Sequence, residues 1–207
     1  MVQGPAAQKR LEQITKFGPP GAGPHKSVLL SIMKAVNIRY NPNADTELRS
    51  KSMDVGMMMI FSSYGWEEGS DGQMWEEELR LGEIAADLGF DCLWSAEHHF
   101  NDYSFVPDNL QVMTHFAAKY SHIDVGTAAV ILPWHDPLRV AENAAVLDLL
   151  SNGRLRLGFG RGLARREFET FRLNMDESRG RFDEAAPMIV EALKTGFMEG
   201  DGPFYKQ

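Results

Sequence analysis

The run VGTAAVILPWHDPLRVAENAAVLDLLSNGRLRLGFGRG, residues 125–162, decides how the chain folds. Its opening belongs to the apolar strand candidate IDVGTAAVILP at 123–133. HDPLRVAENAAVLDLLSNG then carries helix signals: Asp136 can cap the start, Pro137 suits the first position, and Gly153 lies just past the end. LRLGFGRG at 155–162 is a strand candidate again. Strand, helix, strand at this spacing is the unit from which parallel sheets are built, because parallel neighbours need a long crossover between them.

The same unit recurs outward in both directions. Upstream, DVGMMMIF at 54–61 is a short apolar run, and Leu81, Ile84, Ala85 and Leu88 then recur at the spacing of one helix face, with Gly89 where a C-terminal cap belongs. DCLWSA at 91–96 precedes a helix with Asp108 near its start and Met113, Phe116, Ala117 and Tyr120 on one face. Downstream, a short polar connection leads to a helix from about Ser178 to Thr195, with Phe182, Ala185, Ala186, Ile189 and Leu193 as its buried stripe and Pro187 expected to bend it. Four strand–helix units, with strands starting at 54, 91, 123 and 155, define an α/β fold with a parallel sheet. It is either an open doubly wound sheet or part of a (β/α) barrel, and both gather ligands at the C-terminal ends of the strands.

Composition narrows the partners. Of 207 residues, 43% are hydrophobic and 24% charged, as in an ordinary globular chain. Residues 1–52 hold 8 Lys/Arg against 3 Asp/Glu, a charge of +5, which leaves −13 for residues 53–207 out of the total of −8. An acidic body argues against nucleic acid or an anionic membrane as partner and points to a small molecule. Residues 1–52 read as a basic, turn-rich extension around one short helix at 27–36, and residues 53–207 as the folded domain. The extension is neither Arg-rich nor Ser-rich, as a transit peptide would be. With no membrane-length apolar run and no secretory leader, the expected location is cytoplasmic. The lone Cys92, inside an apolar run, is expected to be a buried thiol.

The strand DCLWSA runs into SAEHHFNDYSF at 95–105, which sets Glu97, His98 and His99 at a strand's C-terminal end. Three readings stand together. A histidine there has the intrinsic pKa for acid/base work near neutrality; the pair could be structural; or Glu97, His98, His99 and His135 could bind a metal. Successive strand residues point to opposite faces, which disfavours joint chelation by His98 and His99. GFGRG at 158–162 offers glycines that let a ligand approach the backbone, and the cation of Arg161 for a phosphate, without a dinucleotide fingerprint. The small residues of GTAA suit a planar ligand, and the Met-rich GMMMIF is expected in the core.

Together, LGFDCLWSAEHHF, the 125–162 run and RFDEA resemble the N-terminal half of the bacterial luciferase-like, flavin-dependent monooxygenases, from about Met53 onward. The resemblance implies a TIM barrel that binds FMN, or in some branches F420, at the C-terminal ends of its strands. It implies reduced FMN delivered by a flavin reductase, reaction with O2 through a flavin C4a-hydroperoxide, and oxygenation of a small organic substrate. By position, His98 matches the family's catalytic histidine, the Ala128–Ala129 peptide a non-proline cis bond against the flavin ring, Arg161 a phosphate-contacting arginine, and Glu167 an acidic residue near the flavin; no metal is implied. About four of the barrel's eight units are present, so the sequence reads as a partial barrel: a fragment, or a half that pairs as a homo- or hetero-oligomer. A noncatalytic partner subunit and an F420-dependent oxidoreductase are the alternatives to an FMN monooxygenase.

Overall fold

A computed structural model describes residues 53–63 and 68–207. The extension at 1–52, with its expected helix at 27–36, lies outside the described residues. β1 (Gly56–Met59) leads to α1 (Asp71–Asp87), β2 (Cys92–Ser95) to α2 (Asn109–Lys119), and β3 (Asp124–Thr127) with β4 (Val130–Ile131) to α3 (Pro137–Ser151). β5 (Leu155–Arg156) and β6 (Phe159–Gly160) lead to α4 (Arg165–Thr170) and α5 (Ser178–Thr195). β1, β2, β3 and β5 form a parallel sheet in that order, and β4 pairs in parallel with β6 above it. Two of the expected continuous strands are thus each split in two. The break in the third falls at Ala128–Ala129, whose peptide is cis.

The local signals hold where they were read. Asp108 accepts from the Gln111 N–H, and Asp136 from the N–H groups of Leu138 and Arg139, so both helices start on a carboxylate cap. Gly89 and Gly153 lie beyond the ends of α1 and α3 with φ of +83° and +80°, a backbone conformation open to glycine. α5 is helical through Pro187.

α1 corrects the sequence reading. Leu81, Ile84 and Leu88 are exposed, while Met74, Gly82, Ala85 and Ala86 face the sheet. The reason is Gly82. A Cβ there would lie 2.6 Å from Phe116 Cζ and 2.8 Å from Met59 Cε, both in fully buried side chains. At this point α1 packs so closely on Met59 of β1 and Phe116 of α2 that small residues fill positions 82, 85 and 86, while Leu81, Ile84 and Leu88 are turned outward. The expected polar connection before α5 also contains α4, a helix of 6 residues.

The core lies between the sheet and its helices: Met59, Leu93, Val125, Met113, Phe116, Ala141 and Ile189 are buried there. The Met run divides by strand alternation, since Met59 is fully buried whereas Met58 is 42% exposed on the opposite face. On that face the Trp94 ring lies across Gly56 and Gly126 of the two neighbouring strands, where a Cβ on either would run into it. Cys92 is buried, and burial pushes its thiol up to about 12. Among the described residues no helix is long and apolar enough to cross a membrane.

Candidate active site

Everything the sequence singled out comes to the C-terminal end of the sheet. β2 stops at Ser95, and residues 96–108 form a loop tied back to β1's end by Phe105 N–H to Phe61 O at 3.2 Å and Ser63 N–H to Asp102 O at 2.9 Å. Asn109, at the start of α2, donates to Ser95 O at 3.2 Å. These bonds set the direction of Glu97, His98 and His99.

The two histidines part company. His98, whose side chain is 28% exposed, points its Nδ1 at Glu167 Oε1 at 3.1 Å. That oxygen also accepts from the His99 backbone N–H at 2.8 Å. An oxygen already accepting there meets a donor at Nδ1, which puts the proton on Nδ1 and leaves Nε2 of a neutral His98 as an acceptor. Glu167 is 1% exposed, and its Oε2 is buried with no hydrogen-bond partner among the described residues. Tyr103, on the same loop, sets its ring edge-on to His98 at a centroid distance of 5.5 Å.

His99 turns the other way, into the protein. Its Nε2 donates to Glu97 Oε1 at 3.1 Å, and His135 Nε2 donates to the same oxygen at 2.6 Å. Glu97 Oε2 accepts from the Ile131 N–H at 2.9 Å. Burial pushes the Glu97 carboxyl up, but the hydrogen bonds from His135 and His99 outweigh it and hold the group below the usual carboxylate range. For His135, burial lowers the pKa and the bond to Glu97 raises it, and the bond prevails. Glu97, His99 and His135 therefore meet as a hydrogen-bonded cluster. The metal reading is not met: among the described residues no three His, Cys, Asp or Glu side chains are placed to hold an ion.

Ala128, at the kink between β3 and β4, is exposed, so a methyl-bearing shelf opens at the strand end. Arg161 follows β6 and is exposed, its guanidinium 3.5 Å from Ser178 Oγ. The glycines of GFGRG stand where an added side chain would meet neighbouring groups. A Cβ on Gly158 would run into Thr127 O, one on Gly160 would lie 2.8 Å from Ile131 Cδ1, and one on Gly162 2.9 Å from Phe168. Sequence reasoning missed the His98–Glu167 bond, the Tyr103 contact, and the part that Glu97 and His135 play together. The one available signal was the polar, capped spacing of EHH against HDP, which the metal reading absorbed.

A partly exposed histidine hydrogen-bonded to a buried carboxylate, at the C-terminal end of a parallel α/β sheet, is an arrangement chemically able to exchange a proton with a bound ligand. The chain belongs to the luciferase-like monooxygenase family, whose model matches residues 53–207. It is similar to the oxygenase component of a flavin-dependent trigonelline monooxygenase of Acinetobacter baylyi, 34% identical over 136 residues that make up 65% of this chain and 38% of that protein. Among solved structures it resembles the monooxygenase RslO1 of Streptomyces bottropensis, at 38% identity with a TM-score of 0.66 over 75% of this chain and 47% of that one. It also shares the fold of the oxygenating constituent of 3,6-diketocamphane monooxygenase from Pseudomonas putida, solved with FMN, at 18% identity with a TM-score of 0.65 over 75% of this chain and 43% of that one. The chain spans less than half the length of each of these relatives.

Proposed function

We propose that the chain carries the flavin-side half of an FMN-dependent monooxygenase site, working with reduced FMN from a separate flavin reductase and with O2 on a small organic substrate. The observation that carries this reading is the His98–Glu167 pair at the C-terminal end of β2, the end of the sheet at which the exposed Ala128 also follows β3. Family membership supports it, as does the flavin-dependent oxygenase component among the relatives.

The residues present fit the cofactor. Ala128 and Ala129 put small apolar side chains at the strand end, and the exposed Arg161 offers a cation to a phosphate. When bound, reduced FMN supplies the electrons that divide O2 between product and water. His98 Nε2 is the group that takes up or returns a proton near the reacting centre. Glu167 keeps the other ring proton on Nδ1, so that Nε2 stays free for that exchange. Tyr103 packs its ring near-perpendicular to that of His98. FMN is preferred to F420 on the EHHF and GTAAVILP context of the strand ends.

A supporting chain without turnover of its own is the second reading. It is favoured by β1 and β5 being the end strands of the sheet among the described residues, and by Met58, 42% exposed on the sheet face away from the helices. Such a surface calls for covering by further polypeptide. One experiment tests both readings: anaerobic titration of the chain with reduced FMN, then admission of oxygen, for the parent and His98→Ala. Tight binding by both proteins, with the fate of the bound flavin altered in His98→Ala, supports the enzyme. Absence of binding, or identical behaviour of the two, overturns it in favour of the supporting chain.

A further inference from the structure

The buried carboxylate that the proposed chemistry does not use is Glu97. It is 2% exposed and collects donors from three places in the chain: the His99 ring two residues on, the Ile131 N–H of β4, and the His135 ring after the short 3-10 turn Leu132–Trp134. No other side chain in the site joins so many segments. Held below the usual carboxylate range, it is charged at neutral pH, and hydrogen bonds to a buried charge are the strong kind.

The far end of this cluster is the backbone of His98 and His99. The His99 ring is wedged edge-on against Trp134 at 5.1 Å and Phe171 at 4.8 Å between centroids. Phe171 directly follows α4, the helix that carries Glu167. The same residue, His99, gives its side-chain N–H to Glu97 and its backbone N–H to Glu167. Residues 97 and 99 thus face inward and residue 98 faces the site, and the inward pair decides where the middle residue points.

We propose that Glu97 is the positioning residue for His98: by fixing His99 between His135, Ile131 and α4, it holds the His99 N–H and the His98 ring on Glu167 in one arrangement, and so selects the Nδ1–H form of His98. This rests on the reading of His98 as the acid/base group. Glutamine at 97 cannot substitute. Glu97 accepts with both oxygens, whereas an amide has one acceptor and would turn an NH2 toward either the Ile131 N–H or the two imidazoles.

The test reads the tautomer of His98 in the cofactor-free 207-residue chain, by two-bond nitrogen–proton NMR on histidine-labelled protein. The chain has 6 histidines, and the His98 signals are assigned by their loss in His98→Ala. In the parent the proton is expected on Nδ1. Glu167→Gln and Glu97→Gln are both expected to move it toward Nε2, and His135→Ala to do so in part. A shift in Glu167→Gln with none in Glu97→Gln would overturn the positioning role and leave the acid/base reading standing. A parent without the Nδ1 proton, or no shift in Glu167→Gln, would remove the acid/base pair itself and this inference with it. Should Glu97→Gln fail to fold, His135→Ala decides: an unmoved His98 in that folded variant overturns the proposal.

Discussion

Gly82→Ala sets two known effects against each other. In a helix interior, alanine is favoured over glycine by about 1 kcal/mol, so propensity alone predicts a more stable protein. The packing opposes it. The added Cβ would lie 2.6 Å and 2.9 Å from two atoms of the Phe116 ring and 2.8 Å from Met59 Cε. Methionine's end is flexible, but both side chains are 0% exposed, so neither has open space to retreat into. Overpacking of a dense core costs about 1–3 kcal/mol. The difference is a net loss of about 1 kcal/mol, or roughly 2–4 °C in Tm for a chain of this size. Gly72→Ala in the first turn of the same helix is the control, since nothing stands closer to its Cβ than Ser70 Oγ at 3.9 Å. The assay is urea and thermal unfolding of the three proteins. Gly82→Ala as stable as the parent, or stabilised along with Gly72→Ala, would refute the claim that contact with Phe116 and Met59 sets which residues of α1 turn inward.

Arg161→Ala should weaken FMN binding several-fold while leaving riboflavin almost untouched; equal losses in fluorescence titrations would place the phosphate elsewhere. The Glu97–His135 bond gives a pH signature. Glu97, lowered from its ordinary 4.5, adds stability above that pH that is lost as pH falls through its folded value, and His135, raised from 6.5, adds stability below that pH that is lost as pH rises through its folded value. The Tm gap between the parent and His135→Asn should therefore be widest between these two ordinary values and narrow in alkaline buffer, and a gap independent of pH would count against the bond. Cys92, with its thiol pushed up to about 12, should resist iodoacetamide at neutral pH in the folded chain and react once urea unfolds it; rapid labelling without urea would contradict its burial.

What the sequence disclosed was what depends on near neighbours. Asp108 and Asp136 cap helices within three residues, and Gly89 and Gly153 end them within one turn, so the strand–helix rhythm was legible. The face of α1 was not, because the deciding residue acts by lacking a side chain, and a count of apolar residues does not register glycine. The break at Ala128–Ala129 lies in an unbroken apolar run, and the six residues of α4 are too few to show a helical period. In the site, resemblance brought out His98 and Glu167 separately, but their bond joins positions 69 apart. Glu97 and His135, 38 apart, were noticed as metal-ligand types, and only the fold shows that one oxygen of the carboxylate takes both rings.

The Trp94 ring lying over Gly56 and Gly126 has a consequence for inheritance. One indole reaches across both neighbouring strand spacings, about 10 Å in all, so positions 56, 94 and 126 share a single volume. None of the three can change alone. A larger residue at either glycine collides with the ring, and a smaller residue at 94 leaves a trench across three strands. The three positions should therefore vary together among descendants of this chain, and a chimera that imports β2 alone from a relative with a different residue at 94 would need both neighbouring strands to come with it.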